Sequence, residues 1–229
     1  MHTIVIIFSS ESEWRAARKF HRAPFGDPNP YGESFAIHQG ENKLIFVQGG
    51  WGKISAAASA QYAIQQWKPD LVVNLGTCGG LHGQVERGEV LLVDRTLVYD
   101  LIEQMSDQQA ALDYYTTDLD LSWLGEPYPQ AVRRGLLLSA DRDILAEQVG
   151  WLQETFGAIA ADWESAAIAW VCSKNRMKCL ILRGVSDIVS PNGGEAYNNV
   201  RFFQQASEKV ICDLLQHLPA WLERVDFSR

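Results

Sequence analysis

The sequence predicts an α/β fold built in layers around a largely parallel sheet. Short apolar and β-branched runs of strand length recur along the chain and alternate with segments of helical composition. Several of these runs are apolar throughout instead of alternating, as expected for strands buried on both faces. With 229 residues and 47% hydrophobic content, the chain can bury one sizeable core, and we read residues 1–229 as a single domain.

Residues 3–8 form the first such run, and the polar residues 9–13 stop it, so the chain leaves the sheet near Ser9. The Pro/Gly-rich residues 22–32 read as a loop. Residues 34–38 and 43–47 read as a hairpin across a turn at 40–42. Gly49, Gly50 and Gly52 allow a tight turn before the small-residue segment 53–67, whose alanines and serines suit a helix packed closely on a sheet. Another buried strand is expected at 70–75, followed by a glycine-containing turn at 76–80 and a strand at 89–93. Residues 103–130 show no clean period and read as an excursion over the surface. Further strands are expected at 136–139, 158–163 and 178–183, and helices at 144–156, 165–174 and 198–224. No internal repeat or low-complexity segment interrupts this pattern.

The formal charge of −8, with no run dense in Lys and Arg, lacks the electrostatic footprint of a nucleic-acid binder. A small molecule is the expected partner. Cysteines 78, 172, 179 and 212 have no C-x-x-C spacing, so neither a metal site nor a disulfide framework is expected, and a reducing compartment fits. The apolar run at the start is far too short to span a membrane and has no cleavage-site pattern after it. We therefore expect a cytoplasmic protein without membrane attachment.

In folds of this kind ligands bind beyond the carboxyl ends of the strands. Short polar residues fall at four such ends: Glu13, Thr77, Glu164, and the pair Ser186 and Asp187. Each has a bland reading as well. Glu13 could begin a solvated helix face, Glu164 could sit in a first helical turn where the dipole favours it, Asp187 could be an N-cap, and Thr77 could merely satisfy its turn. Their coincidence of location favours the functional reading.

The segments Asn74-Leu-Gly-Thr-Cys-Gly-Gly-Leu81, Arg87-Gly-Glu-Val-Leu-Leu-Val-Asp94, Asp162-Trp-Glu-Ser-Ala-Ala-Ile-Ala169 and Arg183-Gly-Val-Ser-Asp187 together resemble the nucleoside phosphorylase superfamily, and Gly50-Trp-Gly-Lys53 fits as well. Within it, the sequence looks most like the methylthioadenosine/S-adenosylhomocysteine nucleosidases, from the first strand to the last helix. The resemblance implies a three-layer α/β/α fold with a central mixed, largely parallel sheet. It implies cleavage of the N-glycosidic bond of a purine nucleoside, with no cofactor. Carried over by motif, Glu13 would activate the attacking water and Asp187, supported by Ser186, would donate a proton to purine N7. Glu164 would hold the ribose hydroxyls, while Thr77, Cys78 and Gly79 would line the sugar and water pocket. Tyr197 matches an aromatic that closes over the nucleoside, and Trp163 replaces a residue, usually Met, beside the ribose.

The same chemistry follows from the residue types. A base leaves more easily when an acid protonates it, and carboxylates stabilise the cationic sugar. To deliver a proton near neutrality Asp187 must be raised above the ordinary range, whereas Glu13 must accept one, so two acids in contrasting environments are expected.

Phosphorylases resembled here carry an Arg where this chain has Asn74, and an Arg-containing loop where it has Ser9 to Glu13. Arg15 lies close in sequence, but helical spacing turns it away from Glu13. Hydrolysis is therefore expected, with phosphorolysis and a non-catalytic nucleoside-binding module as the alternatives. One departure concerns Asp143, which stands where the nucleosidases usually place an aromatic against the purine; a helix-start Asp is the other reading. The resemblance also implies a homodimer in which the excursion reaches the neighbouring pocket, with Tyr114, Tyr115 and Trp123 as candidates. These aromatics could equally cap their own core.

Overall fold

The computed structural model describes residues 1–23 and 26–228. In chain order the elements are β1 (Thr3–Phe8), α1 (Glu11–His21), β2 (Asp27–Asn29), β3 (Gly32–Gln39), β4 (Asn42–Gln48), α2 (Gly52–Trp67), β5 (Leu71–Leu81) and β6 (Val90–Val98). They continue with α3 (Gln108–Tyr114), β7 (Thr116–Asp118), β8 (Arg133–Ser139), α4 (Val149–Phe156), β9 (Ala160–Asp162), α5 (Ser165–Lys174), β10 (Cys179–Ser190), β11 (Gly193–Gly194) and α6 (Val200–Leu222).

All the strands join one mixed sheet with helices on both faces. β1 pairs in parallel with β4 and β5, β5 with β10, and β8 with both β6 and β9. Antiparallel pairing joins β6 to β10, β9 to β5, and the strands of the β2–β3–β4 edge. Because β5 pairs with both β9 and β10, the ribbon β5–β10–β6–β8–β9 closes on itself. The closure brings the second halves of β5 and β10 beside β9.

The continuous apolar strands are explained by the two faces. Ile4, Ile6 and Phe8 of β1 join a core that includes Trp14 and Ala17 of α1 and Ile211, Leu215 and Trp221 of α6. Val5 and Ile7 point the other way, to Ala56, Ala60 and Ala63 of α2 and Ile168 and Val171 of α5. The small residues of α2 and α5 let those helices pack closely on each other as well as on the sheet.

Several sequence-based expectations need correction. The glycine-containing turn expected at 76–80 is the second half of β5, and the strand expected to end at Arg183 continues to Ser190. Neither strand ends there because they pair with each other along this length, with a bulge between Val185 and Asp187. Within the stretch 22–32, read as a loop, residues 27–29 form the short edge strand β2, a position that tolerates Pro28; Pro24 and Phe25 lie outside the described residues. The excursion carries α3 and β7, the latter pairing with β6. Trp123, a candidate for reaching another subunit, is buried in its own core. Among the described residues, no helix is long and apolar enough to cross a membrane.

Gly184 marks a close approach of α6 to the sheet, since a β-carbon there would lie 2.4 Å from Cγ1 of Val210. We expect Gly184→Ala to lower stability by about 1–3 kcal/mol in urea unfolding, as overpacked substitutions do. A double variant with Val210→Ala should recover much of the loss.

Candidate active site

A cavity of about 780 Å³ opens where the closed ribbon meets the ends of β1, β4 and β9. All nine expected site residues, Glu13, Thr77, Cys78, Gly79, Trp163, Glu164, Ser186, Asp187 and Tyr197, line it. Their approach follows from local structure in each case.

Glu13 is brought in by α1, a helix that the sequence reading invoked for Glu13 and Arg15 without giving it bounds. Ser10 is the N-cap and Glu13 the N3 residue of a capping box, and basic residues fill the last turn. Glu13 Oε2 accepts from the backbone amides of Ser9 (3.2 Å) and Ser10 (3.0 Å), while Oε1 accepts from the Thr77 amide (2.7 Å) and hydroxyl (2.9 Å). The bland and functional readings of Glu13 thus coexist, because the capping bonds aim the carboxylate at Thr77. Arg15 pairs with Glu11 one turn away and does not line the cavity.

Asp187 lies just past the bulge in β10 and is not an N-cap. Ser186 Oγ donates to its Oδ1 at 2.6 Å. Burial raises the Asp187 carboxyl above its ordinary value, the Ser186 hydrogen bond opposes that rise, and the charges of Glu195 and Asp143 add to it. Cys78 is deeply buried, and its thiol is raised well above the usual range by that burial. Asp143 does line the cavity, and its charge also acts on the Tyr197 phenol, which burial raises most. The phenol donates to the Ile144 carbonyl, so the ring bridges the segment after β11 and the segment before α4.

Glu164 occupies the N-cap position of α5 without capping it by its own side chain. Instead its Oε1 accepts from the amide of Gly52, 3.0 Å away, at the start of α2. Gly52 has φ +82°, a left-handed conformation suited to glycine. The next amide of α2, that of Lys53, donates to Asp141 Oδ1 at 2.8 Å. Two carboxylates distant in sequence therefore serve a helix start that has no side-chain cap of its own. Trp163 stacks on Trp51 with ring centroids 5.0 Å apart.

Beneath the cavity lies a polar cluster whose function the sequence reading missed. Arg183, with no exposed surface, pairs through Nε with Asp162 Oδ2 at 3.1 Å and donates to Ser165 Oγ at 2.8 Å. Its Nη2 donates to Asn74 Oδ1 at 2.6 Å, and Nη1 lies 3.9 Å from Glu13 Oε1. Asn74 in turn donates to the Ile7 carbonyl. A charged residue continuing the apolar run Cys179–Leu182 was the available sign of this cluster.

Burial, followed by the negative charge of Asp162, raises the Glu164 carboxyl to about 8; Arg183 and the Gly52 amide oppose the rise. Sequence reasoning expected a carboxylate here, whereas the folded surroundings shift Glu164 toward its protonated form. Low-dielectric surroundings and a neighbouring anion both disfavour the charged form.

The fold and cavity define an α/β protein with a pocket for a small ligand, lined by buried carboxyl groups and held on a closed mixed ribbon. A profile of the phosphorylase superfamily matches residues 3–219, and the chain belongs to that superfamily. It is 27% identical over 204 residues to a 5′-methylthioadenosine/S-adenosylhomocysteine nucleosidase of Actinobacillus succinogenes, covering 83% of this chain and 87% of the relative. A protein of the same description from Buchnera aphidicola is 25% identical over 200 residues, covering 81% and 86%. Among solved structures, a mutant Helicobacter pylori nucleosidase with 5′-methylthioadenosine in its active site superposes with a TM-score of 0.80 at 16% identity, covering 98% of this chain and 100% of the other. Futalosine hydrolase of Helicobacter pylori gives 0.78 at 16% identity, covering 98% of each chain.

The raised Glu164 predicts a pH dependence of stability. Its contribution is fully present below the unfolded value near 4.5 and is lost as pH rises through about 8, because only the unfolded chain ionises freely in that window. Urea unfolding from pH 5 to 9 should show Glu164→Gln gaining on the unsubstituted protein as pH rises. A constant difference across the range would show that Glu164 titrates normally.

Proposed function

We propose that this chain is a purine nucleosidase that hydrolyses the N-glycosidic bond of 5′-methylthioadenosine, S-adenosylhomocysteine or a relative with another 5′ group. The observation that carries the reading is the pairing of two unlike acids in one cavity. Asp187 is raised by burial, and Glu13 is held by four hydrogen-bond donors. In this reading Asp187 protonates N7 of the departing base, Glu13 takes a proton from the attacking water, and the oxygen of that water forms the new bond to C1′. Glu164 binds the ribose hydroxyls, Trp163 lies beside the sugar, Thr77, Cys78 and Gly79 line the water side, and Tyr197 closes over the nucleoside. The named relatives, described as nucleosidases, support the substrate class.

Hydrolysis is favoured over phosphorolysis by the fate of the nearby cations. Arg183 is enclosed and engaged with Asp162, Ser165 and Asn74, while Arg142 is turned to Gln148 and the Tyr99 ring. A carboxylate at Glu13 repels phosphate but accepts a proton from water.

The proposed protein is a single domain acting in the cytoplasm as a homodimer without nucleic-acid or membrane partners. The dimer is supported by exposed Trp51 and Ile54 near the start of α2 and by exposed Ile102 and Met105 on the segment after Asp100, which is tied to α2 through the Lys53–Asp100 ion pair. Tyr114 is also exposed, but it packs with Tyr115 on Trp170 of the same chain.

Incubation with 5′-methylthioadenosine in phosphate buffer should yield adenine and the free thiosugar, with no phosphate consumed. Detection of the sugar 1-phosphate would overturn hydrolysis and leave the purine site standing. Asp187→Asn and Glu13→Gln should each slow turnover by about 10²–10⁴-fold with thermal unfolding largely unchanged, the range for a lost general acid or base. Near-normal turnover by either would remove that residue from its proposed role.

A further inference from the structure

Asp162 has no part in the chemistry proposed above, yet it is the most heavily bonded carboxylate of the site. Its Oδ1 accepts from the Ser139 hydroxyl (2.6 Å), the Glu164 amide (3.1 Å) and the Ser165 amide (3.1 Å). Its Oδ2 accepts from the Ser165 amide (3.2 Å) and hydroxyl and pairs with Arg183 Nε (3.1 Å). A carboxylate offers about four lone-pair sites, so nothing remains for a substrate hydroxyl. Ser139, the donor to Oδ1, itself accepts from the Ala166 amide and so links β8 to the first turn of α5.

These bonds point in two directions. The amides of Glu164 and Ser165 begin α5, so Asp162 sets where the backbone that carries Glu164 sits. On the other side it holds Arg183, whose guanidinium reaches Asn74 and lies beside Glu13. Gly76 leaves the space for this contact, because a β-carbon there would fall 1.7 Å from Arg183 Nη1.

We propose that Asp162 is the positioning residue of the active site, fixing Glu164 directly and Glu13 through Arg183 without touching the substrate. The step from these contacts to the sugar rests on the nucleosidase reading. Misplacement of a reacting group by about 1 Å can cost about 10²-fold in rate, which makes such a residue visible in kinetics.

The test compares Asp162→Asn and Ser139→Ala with the unsubstituted protein, using 5′-methylthioadenosine and its 2′-deoxy analogue. Titration of the Glu164 carboxyl by carbon-13 NMR accompanies the kinetics. Asp162→Asn should lower kcat by about 10²-fold and raise KM more for the riboside than for the deoxy analogue. Its Glu164 midpoint should fall, since the facing anion is gone while Arg183 and the Gly52 amide remain. Ser139→Ala keeps the charge and loses one bond, so its kinetic effect should be smaller but in the same direction. An Asp162→Asn protein that only melts earlier, with kinetics and Glu164 midpoint unmoved, would show a merely structural residue. Should that variant fail to fold, unsubstituted kinetics in Ser139→Ala would overturn the proposal. If the unsubstituted protein cleaves neither compound, the nucleosidase reading fails, and a crystal structure of Asp162→Asn decides: displaced Glu164 and Arg183 side chains support positioning, and unmoved ones overturn it.

Discussion

The site is organised around one buried guanidinium. Arg183 follows the apolar run Cys179–Leu182 in the middle of β10, with no exposed surface, and it is tolerated because Asp162, Asn74 and Ser165 supply charge and hydrogen-bond acceptors around it. Taking a charge out of water costs several kcal/mol, and losing one partner of such a pair leaves that cost uncompensated. The elements that provide the partners are therefore bound to one another in a definite order. β1 is tied through Ile7 to Asn74, β5 contributes Asn74, β9 contributes Asp162, and α5 contributes Ser165.

That arrangement depends on the sheet closing. An open sheet would leave β9 and β10 on separate sides of β5 only if their far edges stayed apart, but β6 and β8 join them into a ring. Closure also needs room at the crossing points. Gly80 supplies it where Val85, Val185 and Ile188 converge, and Gly76 supplies it under Arg183. The bulge after Val185 then changes the facing of β10 just before Asp187. A regular strand would alternate its side chains without that shift.

Electrostatics divides the acidic residues of the cavity into unlike groups. Asp187 is raised by burial, and Glu164 is raised by burial and by Asp162, whereas Glu13 is surrounded by donors from β5 and from the residues that begin its own helix. Asp143 contributes a further negative charge near Tyr197 and Asp187. An ionised carboxylate beside the sugar favours a substrate that becomes cationic as its bond breaks, while a raised acid is suited to protonate the leaving base, which together match a glycosidic cleavage.

Much of this was legible in the sequence. Continuous apolar runs marked β1 and the first halves of β5 and β10, since burial on both faces removes the alternation that a solvated face would impose. Glu13, Thr77, Glu164, Ser186 and Asp187 stood out because they coincide at the ends of apolar runs, and a resemblance carried by whole motifs added Cys78, Gly79, Trp163 and Tyr197 and the individual roles. Other features depended on partners far away in the chain. The segment 76–80 reads as a turn because glycine is permissive, and only pairing with β10 extends it as a strand. Arg183 interrupts an apolar run, but which partners hold it there, Asp162 above all, lies in a contact between elements that local patterning does not encode. The raised Glu164 belongs to the same class. Its sequence specifies a carboxyl group at the start of a helix, but its protonation is decided by burial, by Asp162 and by an amide of α2 that only the folded chain brings within reach.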